Sequence, residues 1–174
     1  ETGVIHLAAE LQAIGHDVTV YTTAENPPPS SPRYLPLQAI TQSSEIDVLI
    51  VIRDWIPLFY QVPAKKRMFW TGDSYNIPAN YGLGDKRVSG RIDTFLAVSE
   101  WQARTISMAS NFPLEKTWVM GNGIDLDLFS GTEKKNPKRL IYSSTPHRGL
   151  KFVPEYYKAL KQKHKDLEIS IFSS

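Results

Sequence analysis

The chain has 174 residues, 41% of them hydrophobic, with 20 basic and 18 acidic side chains and a net charge of +2. That length and apolar content suffice for the core of one domain, or of one and a fraction. Near charge balance excludes the strongly basic profile of a nucleic-acid binder, so no nucleic acid is expected as partner. Cysteine is absent, which excludes a disulfide framework and a thiolate metal site. No run of about 18 apolar residues occurs, the length a membrane-spanning helix needs.

In chain order, short apolar runs alternate with helical patterns. "ETGVIHLAAELQAIGHD" opens the chain with Val4, Ala8 and Leu11 at helical spacing and Gly15 where a helix stops. "DVTVYTT" (17–23) follows as a strand, and then "AENPPPSSPRYLP" (24–36), whose prolines predict a surface loop. Strands are expected at "IDVLIVI" (46–52), "RMFWT" (67–71), "DTFLAVS" (93–99) and "TWVMGN" (117–122). Between the last two, Ser99 and Gln102 of "SEWQARTISMAS" form a Ser-x-x-Gln capping box. "FSGTEKKNPKR" (129–139) is polar and charged, the composition of an interdomain connection. After it come a strand at "RLIYSS" (139–144), a helix from about Leu150 to Lys163 and a strand at "LEISIFSS" (167–174). That helix stacks Leu150, Val153, Tyr157 and Leu160, with Pro154 confined to its first turn.

The strand runs are continuously apolar, as in strands covered on both faces, and helices separate several of them. Both features predict an α/β fold with Rossmann-like parallel sheets joined by right-handed crossovers. The expected division is residues 1–128 as one Rossmann-like domain, 129–138 as linker, and 139–174 as the start of a second domain. The chain opens directly in a helix and closes on a strand, so incompleteness at both ends is the expectation.

Ligands of parallel α/β sheets sit at the carboxyl ends of strands. In "YSSTPHRGL" (142–150), Ser143, Ser144 and Thr145 stand at such an end and offer hydroxyls and backbone amides to an anion. Arg148 adds a guanidinium matched to paired phosphate oxygens, and Gly149 lets the backbone approach closely. A nucleotide-sugar diphosphate suits that set. The alternative is that the hydroxyls cap a helix and Arg148 faces water. Asp73 in "WTGDSYN" (70–76) is either a substrate contact at the rim or a turn residue. Asn122-Gly123 is turn chemistry after a strand. Asp125 and Asp127 mimic an Asp-x-Asp metal pair without a third ligand nearby, so no metal is expected. His6, His16, His147 and His164 are scattered without metal-type spacing. Nucleophile-elbow, Walker and complete dinucleotide motifs do not occur.

Taken in order, these segments resemble the retaining glycosyltransferases with two Rossmann-like domains, the GT-B fold of the GT4 family (glycosyl transferases group 1). "ETGVIHLAAELQAIGHDVTVYT" looks like the first helix and second strand of that family's N-terminal domain. "AVSEWQAR" looks like a strand-to-helix step in its middle, and "VMGNGIDLDLF" is similar to the Asn-Gly-Ile/Val-Asp…Phe signature before the linker. "RLIYSSTPHRGL" is similar to the first strand and loop of the donor-binding domain, with Arg148-Gly149 on the family's basic-residue-Gly position.

The resemblance implies a metal-independent, cofactor-free hexosyltransferase, as in polysaccharide biosynthesis, in which the nucleotide sugar is a substrate. Its partners would be that donor and a glycan or lipid acceptor, in the cytoplasm or peripherally at the inner face of a membrane. It implies donor-diphosphate contacts at Ser144, Thr145, Arg148 and Gly149, and acceptor-side residues Asp73, Asn122 and Gly123. The chain departs from the family at Tyr142 and Ser143, where many members carry a second Arg, and at Gly72 and Asp73, where many carry a His. The family's Glu-x7-Glu motif would fall beyond Ser174, so these residues alone are expected to be inactive. A sugar-nucleotide epimerase and a non-catalytic binding or scaffold module with the same fold are the alternatives.

Overall fold

The computed structural model describes residues 2–28, 32–77, 82–129, 131 and 134–173. The chain forms two compact units, divided between Ile124 and Asp125.

In the first unit, helix α1 (Thr2–Ala13) leads to strands β1 (Thr19–Thr22), β2 (Arg33–Pro36), β3 (Ile46–Ile52) and β4 (Ala64–Thr71). The short helix α2 (Lys86–Ser89), strand β5 (Thr94–Ala97), helix α3 (Glu100–Ser110) and strand β6 (Thr117–Val119) follow. Strands β3-β4-β5-β6 form one sheet, all parallel, while β1 and β2 form a separate parallel pair. The fold is therefore α/β with parallel sheets, as the alternation of apolar runs and helical patterns requires.

Helix α1 stops where the sequence says it should. Gly15 has φ +100°, and its N–H reaches Gln12 O at 3.0 Å while the His16 N–H reaches Leu11 O at 3.1 Å. These two bonds make a Schellman end, in which glycine supplies the left-handed residue without a Cβ clash. The backbone of α1 lies close to β4, since a Cβ on Gly3 would sit 3.5 Å from the Trp70 ring.

Two expectations change. The proline-rich segment read as a loop contains β2, paired in parallel with β1 from Thr19↔Arg33 to Thr22↔Pro36. Pro32 precedes this strand and Pro36 is its last residue, positions where a missing amide donor costs the ladder least. Coverage on both faces also fails at the margins. Strand β5 is buried over Phe95–Ala97, but Val48 of β3 is 46% exposed and Trp118 of β6 is 61% exposed. A strand paired on both sides lies beneath helices; one at the sheet's margin has a face that only a further layer would cover.

The core sits on one face of the four-stranded sheet. Leu49, Val51, Phe69, Phe95 and Ala97 meet Ala103 and Ile106 of α3, with Phe112, Leu58, Val62 and Ile92 around them. Phe95 stacks on Phe69 at 6.2 Å and takes the edge of Phe112 at 6.0 Å.

The second unit holds β7 (Arg139–Ser143), α4 (Val153–Lys163) and β8 (Glu168–Phe172), with β7 and β8 parallel in the register Arg139↔Glu168 to Ser143↔Phe172. Two tight turns, Pro146–Arg148 and Leu150–Phe152, separate β7 from α4. Pro154 falls in the first turn of α4, where its missing N–H would have no partner. The packed row is Leu150, Val153, Tyr157 and Lys161, not the expected one through Leu160. The Tyr157 hydroxyl and Lys161 Nζ both donate to Leu167 O, at 3.0 and 2.6 Å, while Leu160 is exposed.

Replacing Phe95 by Ala removes the ring between two others in a buried stack, and the expected loss is about 3–5 kcal/mol of unfolding free energy. Urea denaturation followed by tryptophan fluorescence measures it; a loss under about 1 kcal/mol would mean that the stack is not where the core's energy lies.

Candidate functional site

Strand β4 ends at Thr71, and the chain turns through Gly72 to Asp73 at the carboxyl edge of the sheet. Asp73 is one of the residues singled out from the sequence, and its surroundings fix it on several sides. Its N–H donates to the Thr71 hydroxyl oxygen at 3.1 Å, and that hydroxyl in turn donates to Asp73 Oδ2 at 3.4 Å. Arg53, just past β3, donates from Nε to Oδ2 at 3.0 Å and from Nη2 to Oδ1 at 3.3 Å. The Asp73 side chain keeps 24% of its surface exposed.

The main chain at Asp73 is held from a third direction. Gln102, in the first turn of α3, is 2% exposed. Its Nε2 donates to Thr71 O and to Asp73 O, both at 2.8 Å, and its Oε1 accepts the Val98 N–H at 2.7 Å. One carboxamide thus spends two donors and one acceptor on the ends of β4 and β5.

The capping box expected of Ser99 and Gln102 is half formed. The Ser99 hydroxyl accepts the Gln102 N–H at 3.2 Å, as a helix N-cap should. The Gln102 side chain reaches back to Val98 instead of Ser99, because its amine end is drawn to the carbonyls of Thr71 and Asp73. Gln102 was legible only as a cap partner, and Thr71 and Arg53 carried no signal beyond standing at the ends of apolar runs.

Asn122 and Gly123 lie past the end of β6 and are exposed. They share with Asp73 the carboxyl edge of the four-stranded sheet, since all its strands run the same way. Gly123 does not use a positive φ, so its backbone would accept other residues. Asp125 Oδ1 accepts the Asp127 N–H at 3.0 Å, which makes Asp125 a turn-closing residue.

In the second unit, Ser144, Thr145, Arg148 and Gly149 gather in the loop that leaves β7. Thr145 O accepts both the Tyr142 hydroxyl at 2.9 Å and the Arg148 N–H at 3.0 Å, closing the turn. Gly149, at φ +107°, ends it in a conformation that side chains rarely adopt. No hydroxyl of this loop caps α4, which begins at Val153 without a side-chain cap. The Arg148 guanidinium is exposed and has no hydrogen-bond or ion-pair partner among the described residues. Thr145 Oγ1 lies 3.4 Å from His147 Nε2.

Chemically, the first cluster offers a fixed carboxylate able to accept hydroxyl hydrogens. The second offers a cation beside hydroxyls and turn amides, suited to a polyanion. No helix among the described residues is long and apolar enough to cross a membrane. Comparison with protein-family models and with curated proteins returns no match.

Gln102→Glu keeps an acceptor for Val98 but turns a second acceptor toward two carbonyls in a buried site. The expected cost is about 2–4 kcal/mol of unfolding free energy at neutral pH. Chemical denaturation of the two proteins side by side measures it, and equal midpoints would show that the three bonds are dispensable.

Proposed function

We propose that the protein is a retaining glycosyltransferase of the GT-B kind, moving a sugar from a nucleotide-sugar donor to a glycan, lipid or other hydroxyl acceptor. The reading draws on the ordered motifs from "GVIHLAAELQAIGHDVTVYT" to "YSSTPHRGL", and on parallel strands that end at the residues those motifs single out. On this reading the four-stranded unit belongs to the acceptor-side domain and the β7–β8 unit to the donor-binding domain. The protein would act in the cytoplasm, peripherally at the inner face of a membrane if its acceptor is a lipid.

One observation carries the proposal: the exposed guanidinium of Arg148, unpaired among the described residues, on a turn that Gly149 closes in the left-handed region. An arginine that stabilised the fold would have found a carboxylate or a carbonyl. This one offers its N–H groups to a ligand from the outside. As the glycosidic bond of the donor breaks, negative charge accumulates on the departing nucleotide diphosphate. A guanidinium placed there would stabilise that charge more than it stabilises the bound donor, and this difference would accelerate the step. Ser144 and Thr145 would donate hydroxyl hydrogens to the same diphosphate. Arg148 can supply this stabilisation without a metal or cofactor.

A second reading, a sugar-binding module without turnover, is favoured by Gly72 and Asp73 standing where the resembled family commonly carries a histidine, and by Tyr142 and Ser143 where it often carries a second arginine. Kinetics separate the two. With the intact protein and a panel of nucleotide-sugar donors, NMR of the product should report the donor's own anomeric configuration. Arg148→Ala should lower kcat/KM by about a hundredfold or more. Donor affinity and turnover unchanged by that substitution would remove Arg148 from the reaction. A protein that binds glycans and turns over no donor would favour the module.

A further inference from the structure

We propose that Arg53 is a positioning residue: a left-handed turn at the carboxyl end of β3 aims its guanidinium so that it holds the Asp73 carboxylate ready for a hydroxyl of the acceptor. The inference rests on the glycosyltransferase reading and deepens it, because it assigns an orienting role to a residue outside every recognised motif.

The first observation is backbone geometry. Arg53 has φ +64°, in a region that favours glycine and is uncommon for long side chains. Strained positions of this kind persist where the surroundings hold them, and they cluster at functional sites. The turn has a definite effect. The Arg53 N–H still donates to Trp70 O at 2.9 Å, one step beyond the last β3–β4 pair. The next amide, Asp54 N–H, folds back to Ile52 O at 2.8 Å, so the chain leaves the sheet at once. The Arg53 side chain is thereby directed to the end of the neighbouring strand.

The second observation is convergence on Asp73. Arg53 meets both carboxylate oxygens through Nε and Nη2, the fork geometry that fixes a carboxylate's plane and not merely its place. The buried Thr71 hydroxyl bonds the same Oδ2, and Gln102 holds the Asp73 carbonyl. Main chain and side chain of Asp73 are both constrained, yet the side chain keeps about a quarter of its surface exposed. The side chain is held in one orientation while part of it still meets solvent.

The ion pair adds little stability. The Arg53 side chain is 53% exposed, and an ion pair so open to water contributes no more than its left-handed backbone is expected to cost. Glycine would serve the turn better, and what the pair does is set the plane of the Asp73 carboxylate.

Three variants of the intact protein separate backbone from side chain. Arg53→Ala should raise the acceptor KM by about tenfold to a hundredfold while the donor KM moves less than twofold, and Arg53→Lys should recover part of the loss. Arg53→Gly should melt at a higher temperature than Arg53→Ala, because glycine adopts positive φ freely, and yet share its acceptor defect. Side-chain 13C relaxation should show Asp73 losing order in the Ala and Gly variants and keeping more of it with Lys. An unchanged acceptor KM in Arg53→Gly, or undiminished Asp73 order, overturns the proposal. If the wild type transfers no sugar from any donor, the reading of the reaction fails, and the relaxation result alone decides the role of Arg53.

Discussion

The carboxyl edge of the four-stranded sheet depends on one buried side chain. Gln102 joins three backbone groups from two strand ends through a single carboxamide: the N–H of Val98 and the carbonyls of Thr71 and Asp73. Only an amide supplies an acceptor and two donors at one position. Glutamate lacks the donors, and methionine lacks both. In a water-excluded site each of these bonds is stronger than at the surface, and each is costly to leave unmade. The Ser99 cap completes the join by fixing where α3 begins, so helix and strand ends are set by the same few atoms.

That join divides the first unit into two physical regimes. Below it lies an apolar interior in which Phe69, Phe95 and Phe112 pack ring against ring and polar groups are few. Above it lies a polar rim where Asp73, partly open to solvent, bonds both Arg53 and the buried Thr71 hydroxyl. A parallel sheet makes this arrangement natural. All strands deliver their last residues to one edge, and crossover connections leave that edge open to irregular backbone. The rim can then vary chemically without disturbing the packing that supports it.

The second unit reaches a comparable result by other means. Its loop after β7 has no buried carboxamide; Thr145 O closes the turn by accepting from Tyr142 and from the Arg148 amide, and Gly149 completes it at φ +107°. Tyr142 stands where the resembled glycosyltransferases often have an arginine, and here its hydroxyl holds the loop's shape. The Arg148 guanidinium of that loop has no hydrogen-bond or ion-pair partner among the described residues. In the first unit the corresponding cation, Arg53, is committed to a carboxylate. The two arginines differ in whether the fold supplies their anion.

By itself, the sequence determined whatever short-range chemistry controls. Strand β3 runs from Ile46 to Ile52 as its apolar run dictates, Gly15 ends α1, Ser99 starts α3 and Pro154 sits in the first turn of α4. Asp73 and Arg148 were legible as candidates because each follows an apolar run in a chain of parallel strands. The tertiary structure decided the rest. A proline-rich segment became β2 because β1 offered it a ladder, which no local propensity encodes. The link from Gln102 to Thr71 spans 31 residues and the Arg53–Asp73 pair spans 20, so neither leaves a periodic trace along the chain. Nor does residue type reveal a left-handed arginine, since that conformation is disfavoured locally and is sustained only by the neighbouring strand that receives its amide and its side chain.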